Sequence, residues 1–107
     1  MTPAMGSQGV KLGLFLPPAL HERMIGAADG QGLSAAYAQA LTSLLDRLDA
    51  SDAVTFAAVR GRKKRVTVRI DEALRDRLRV RLGTLSLKIT DFACAAVDHH
   101  LSSKPGA

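Results

Sequence analysis

The sequence predicts an α+β fold, mostly helical, in which two strand–helix–helix units of one chain close on each other. Three observations predict it. A stretch at 64–70 alternates basic or Thr residues with aliphatic ones, and two helical stretches follow it. Fifty-four residues earlier, Leu12, Leu14, Leu16, Leu20, Met24 and Ala28 superpose on Val66, Val68, Ile70, Leu74, Leu78 and Leu82. The second helical stretches are displaced by 56 residues, with Ser34 on Thr90, Ala40-Leu41 on Ala96-Val97 and Leu45 on Leu101. The difference of two residues falls in a glycine-rich turn, where insertions cost little. One strand and two helices cannot bury their apolar faces alone, whereas two copies can close on each other.

Residues 1–10 contain Gly, Ser and Pro and are expected to form a flexible tail. The first unit spans 11–48. Its strand, 11–16, alternates weakly because Phe15 is apolar on the outward side. Pro17-Pro18 stops the strand and suits a helix start. Leu20, Met24 and Ala28 give a short helix ending before Gly30, which leaves His21 and Glu22 off the stripe as surface residues. Ser34 is a suitable N-cap for the next helix, whose stripe is Tyr37, Leu41, Leu44, Leu45 and Leu48.

Residues 49–63 form the linker. Its apolar centre, 54–59, is either a short helix after Ser51 or an extended cover strand, and periodicity does not decide between them. The second unit spans 64–101. Val66, Val68 and Ile70 point one way and Arg65, Thr67 and Arg69 the other. Residues 77–82 alternate and fit a strand, but Leu74, Leu78, Leu82 and Leu85 fall at helical spacing. Asp71 and Glu72 suit a helix N-terminus, so helix is the preferred reading. The arginines at 75–81 and Asp76 then lie on a solvated helix face. Thr90 caps the last helix, with Phe92, Ala93, Ala96, Val97 and Leu101 as its stripe, and 102–107 is a tail.

The 107 residues carry a net charge of +5, and 47% of them are apolar with no Trp, which predicts an aliphatic globular core. One cysteine excludes an internal disulfide. No apolar run is long enough to span a membrane. Residues 11–16 are too short for a secretory h-region and lack a basic start, so a cytoplasmic location is expected, on the nucleoid or a plasmid. The first fifty residues hold three basic and four acidic side chains, and the remainder hold twelve and six. Arg-Gly-Arg-Lys-Lys-Arg at 60–65 concentrates that charge and points to a polyanionic partner.

Enzymatic signatures are absent. The sequence has no Gly-rich phosphate loop, no paired-carboxylate arrangement and no Ser/His/Asp set, so neither an enzyme nor a cofactor is expected. Asp98-His99-His100 does not make a metal site, because adjacent helical histidines diverge by about 100°. Cys94, between Ala93 and Ala95, is expected to be an inert, buried thiol.

Lys64-Arg65-Val66-Thr67-Val68-Arg69-Ile70 followed by Asp71-Glu72-Ala73-Leu74 resembles the opening of the ribbon-helix-helix DNA-binding family, the Arc/MetJ/CopG-like repressors. Leu87-Lys88-Ile89-Thr90-Asp91-Phe92, leading into Ala96-Val97, resembles the family's second helix. The resemblance covers 64–101 and extends to 11–48 chiefly through apolar spacing, and the motif has no invariant chemical signature. It implies an intramolecular ribbon-helix-helix pseudo-dimer whose two strands pair antiparallel and enter the major groove of double-stranded DNA. One ribbon face then touches bases. It carries Arg65, Thr67 and Arg69 from the second copy and Lys11, Gly13 and Phe15 from the first. Arg can donate twice to guanine, and Thr can bond a base or pack on a thymine methyl. Phe15 can press on methyls or bind a protein, and the alternative is that this first-copy face is covered by the linker or tail. The resemblance further implies phosphate contacts at the second-helix N-termini, namely Thr90 with Lys88 beside it, and Ser34 in the first copy. Arg62, Lys63 and Lys64 would follow the DNA backbone into the ribbon.

The tandem arrangement is similar to TraY-type relaxosome accessories and T-DNA border-binding accessories. The expected role is therefore transcriptional repression or accessory work in plasmid DNA transfer. Further partners would be a second copy on adjacent DNA or a relaxosome protein. The alternatives are an antitoxin, disfavoured by the six residues after Leu101, and a protein-interaction module that binds nucleic acid nonspecifically.

Overall fold

A segment that alternates as 64–70 does can bury one face only when extended, and a single strand leaves its backbone groups unpaired. The computed structural model describes residues 9–28, 32–51, 54, 56 and 60–102. It supplies the partner from the other half of the chain. The element order is β1 (Val10–Leu16), α1 (Pro18–Ala27), α2 (Leu33–Asp49), β2 (Lys64–Ile70), α3 (Glu72–Leu85) and α4 (Ile89–Ser102). The two strands form one antiparallel sheet, with Val10 opposite Ile70, Gly13 opposite Thr67 and Leu16 opposite Lys64. Both strands begin and end 54 residues apart, α1 and α3 begin 54 apart, and α2 and α4 begin 56 apart.

Leu14 and Leu16 of β1 and Val66, Val68 and Ile70 of β2 are buried on the inner face. Helices α2 and α4 cover them and pack on each other. The packing crosses between the halves, since α2 lies on β2, α4 lies on β1, and α1 packs against α4 as well as α2. Among the described residues, Tyr37 and Phe92 are the largest fully buried side chains, one from α2 and one from α4. Burying a large aliphatic or aromatic side chain contributes about 1.5–3 kcal/mol, which offsets chain ordering only because both halves share the core. Of the linker, Val54 and Phe56 pack against this core, and the Phe56 ring stacks on Phe92 at 5.8 Å. The choice between helix and cover strand for 54–59 turns on 55 and 57–59, which lie outside the described residues, as do 1–8 and 103–107.

The stripes of α2 and α4 hold, with Ala36, Ala40, Cys94 and His100 added to the buried set. Three expectations are corrected. His21 is buried at 7% exposure, because α1 turns its His21–Met24–Ala28 face inward and leaves Leu20 half-buried. Leu85 is exposed, because α3 ends there and Ser86 takes a left-handed conformation (φ 55°) while Leu87 N–H donates to the Leu82 carbonyl at 3.1 Å. Arg77 and Arg81 are not simply solvated. Arg77 reaches Asp46 (2.7 Å) and Asp49 (2.6 Å) at the end of α2, and Arg81 also bonds Asp49.

Residues 77–82 are helical, so Leu78 and Val80 part company: Leu78 is 2% exposed and Val80 is 70% exposed. In a strand they would share a face. Leu78→Ala should cost about 2–5 kcal/mol, whereas Val80→Ala should stay within about 0.5 kcal/mol. Urea unfolding of the two variants checks this, and equal losses would contradict the helix.

Candidate nucleic-acid interface

The antiparallel register fixes what lies on the outer face of the ribbon: Lys11 opposite Arg69, Gly13 opposite Thr67 and Phe15 opposite Arg65. Gly13 is half-buried and the other five are exposed, Phe15 at 45%. The six residues expected to contact bases thus share one surface. A small central pair is flanked by a cationic pair on one side and an aromatic–cationic pair on the other. From residue 60 to residue 70 no acidic side chain intervenes.

The residues expected to contact phosphate are more varied. Arg62 and Lys64 are exposed, and Lys63 is half-buried, its Nζ donating to the Gly61 carbonyl at 3.3 Å. Gly61, at φ +91°, occupies the left-handed region that favours glycine and turns the chain into this run. Neither Ser34 nor Thr90 is an N-cap. Gly32 (φ +93°) and Lys88 hold those places, their carbonyls accepting from Ala36 and Phe92 N–H at 3.1 Å each. Ser34 and Thr90 lie one residue inside their helices. The Ser34 Oγ instead accepts the Arg69 backbone N–H at 3.1 Å, satisfying an outer-edge donor of β2. This bond ties the first turn of α2 to the second strand. Beside it an open groove of about 720 Å³, with Ser34, Gln39, Thr42, Arg69 and Asp71 along it, runs between α2, the end of β2 and the start of α3.

Gly9, assigned to the tail from sequence, touches the ribbon instead: its carbonyl accepts Arg69 Nη1 at 3.2 Å. Continuing the period of two back from Gly13 through Lys11 reaches Gly9, and this was the signal available in the sequence.

At the other end of the ribbon, His21 Nδ1 lies 2.8 Å from the Tyr37 hydroxyl, inside the core. Burial pushes the Tyr37 phenol up to about 12, with a smaller contribution from Cys94. His21 is held below its ordinary value of 6.5, first by burial and then by nearby Lys64, against the opposing effect of Glu22. Cys94 is buried, and burial with Asp91 raises its thiol above the ordinary range, which disfavours a reactive thiolate. Among the described residues no three His, Cys, Asp or Glu groups gather as a metal site, and no helix is long and apolar enough to cross a membrane.

The chain matches no protein-family model, no curated protein and no solved structure.

The neutral form of His21 is the one the fold prefers. A group whose folded pKa lies below its unfolded value contributes stability that is full above the unfolded pKa, near 6.5 here, and is lost as pH falls through the folded value. The urea midpoint should therefore decline from pH 7 toward pH 5. In His21→Gln, which cannot titrate, that part of the decline should vanish. An unchanged slope in the variant would assign the effect to other groups.

Proposed function

We propose that this chain binds double-stranded DNA sequence-specifically, with the outer face of the β1–β2 ribbon in the major groove. The observation that carries the reading is that exposed face: a two-stranded antiparallel ribbon presenting Lys11, Arg65, Thr67 and Arg69 to solvent while its other face is packed on helices. The major groove admits a two-stranded ribbon, and base edges there offer acceptors to Arg and a methyl to Thr or Phe. Arg62, Lys63, Lys64 and Lys88 with the first turns of α2 and α4 follow the phosphates.

In this reading the chain is a ribbon-helix-helix pseudo-dimer, with β1-α1-α2 and β2-α3-α4 as its two copies. The common 54-residue displacement of strands and first helices supports it. So does the register, which pairs Gly13 with Thr67, the residue 54 positions on, at the middle of both strands. The crossed packing of α2 on β2 and α4 on β1 agrees with two interlocked copies. The protein serves as a transcriptional repressor or as an accessory in DNA transfer.

Arg69→Ala should cost about 1–3 kcal/mol of binding and relax preference at one base position, while Lys63→Ala should weaken all sequences alike and lower the salt slope by about 1. Titration at several salt concentrations on the preferred and random duplexes separates the two. Equal losses on both DNAs for Arg69→Ala would refute the division of roles.

A homodimeric ribbon favours a palindrome, whereas this chain presents unlike strands. Selection from random DNA should return a non-palindromic site bound by a monomer, because covalent joining keeps the partner strand at high effective concentration. A symmetric consensus together with a dimeric mass would overturn the tandem reading.

A further inference from the structure

Along the outer face of the first half, period-two positions run Gly9, Lys11, Gly13 and Phe15. Each glycine lies beside an arginine of β2. A Cβ on Gly9 would sit 2.5 Å from Arg69 Cγ, 3.0 Å from Cδ and 3.2 Å from the Ile70 carbonyl oxygen. A Cβ on Gly13 would sit 3.7 Å from Arg65 Nε and 3.9 Å from Nη2. The two contacts follow one rule. Arg69 is opposite Lys11 and Arg65 is opposite Phe15, and each leans onto the glycine two residues before its partner. Both side chains therefore run along the ribbon in the same direction. Neither glycine has a positive φ, so the backbone does not demand glycine there; space distinguishes Gly9, whereas at Gly13 a Cβ would make only ordinary contact.

We infer that Gly9 is a positioning residue that lays Arg69 along the ribbon, so that β2 supplies the arginine donors and the start of β1 forms the bed on which Arg69 lies. The inference rests on the DNA reading above and makes it more specific: guanine recognition is concentrated in the half-site facing β2. A guanidinium carries five N–H donors in a planar fork. Holding Arg69 Nη1 on the Gly9 carbonyl fixes that plane and leaves other N–H groups for a base. Bidentate recognition depends on the orientation of the plane, and a side chain already oriented loses less freedom on binding.

The test uses the full chain with Gly9→Ala and the double variant Gly9→Ala/Arg69→Ala. Arginine Nε–Hε resonances are followed without DNA, and the selected duplex is competed against random duplex of equal length. Gly9→Ala should move the Arg69 signal, spare that of Arg65, and lower the preference about tenfold, with random-duplex binding unchanged because the charge remains. Adding Arg69→Ala to Gly9→Ala should lower the preference little further, since both remove one interaction, while the lost charge weakens both duplexes alike. An unmoved Arg69 signal in Gly9→Ala, or equal losses on the two DNAs, would overturn the inference. Should Gly9→Ala lose its helical circular dichroism, the Nε–Hε order parameter of Arg69 in the wild-type chain decides: it should exceed that of exposed Arg79, and equal mobility would overturn the inference. A wild-type chain with no preference among duplexes defeats the DNA reading and the specificity claimed here, and the Hε signals then decide the positioning alone.

Discussion

The pairing of β1 with β2 is the constraint on which the rest depends. An isolated two-stranded ribbon is marginal in water, and this one persists because its inner face is buried under helices drawn from both halves. Its register places Leu14 and Val66 inward and Gly13 and Thr67 outward in the same step. A slip of one residue on either strand would exchange those faces, taking leucine and valine into water and arginine into the core. The apolar side thus fixes the polar side, and the outer surface is specified by residues that never reach it.

A second set of forces holds the seam between α2 and α3. Asp46 and Asp49 lie in the last turn of α2, where negative charge opposes the helix dipole. Arg77 and Arg81 of the following helix answer them. Hydrogen bonding to Arg77 and then Arg81 holds the Asp49 carboxyl below its ordinary range, and bonding to Asp46 and Asp49 raises Arg77. With Asp49 depressed, the contact is at full strength above the ordinary carboxylate range and fades as pH falls through the lowered value. These groups are solvated, so salt screens them. Helix α3, which buries only Leu78 fully, leans on this contact more than the other helices do.

Much of this was legible in the sequence because its strongest signals are periodic. The alternation at 64–70 gave a strand with the correct inner face, and the stripes of α2 and α4 were found almost whole. What was missed depends on three-dimensional neighbours. His21 is off the Leu20–Met24–Ala28 stripe and is buried because Tyr37, sixteen residues on, offers it a hydroxyl. Ser34 has a good capping side chain, but the unpaired N–H of Arg69 competes for its oxygen across 35 residues. Charge counting could not reveal that two arginines of α3 face two aspartates of α2, since each looked like an ordinary exposed residue. Gly9 looked like tail because glycine carries no side-chain signal, and its part is visible only where an arginine lies across it.

The separation of the two strands along the chain also sets an order of events during synthesis. Gly13 is made 54 residues before its partner Thr67. At roughly 5–20 residues per second, β1 waits on the order of three to ten seconds before its partner exists. Once β1 has left the ribosome and until its partner follows, Leu12, Leu14 and Leu16 belong to a nascent segment with an open edge, the state in which chains pair with one another. Lys11 breaks the apolar run with a charge and Gly13 with a residue of low strand propensity, so the segment is poorly suited to intermolecular pairing. The weak alternation of this first strand, compared with the strong alternation of the second, matches the order in which the ribosome delivers them.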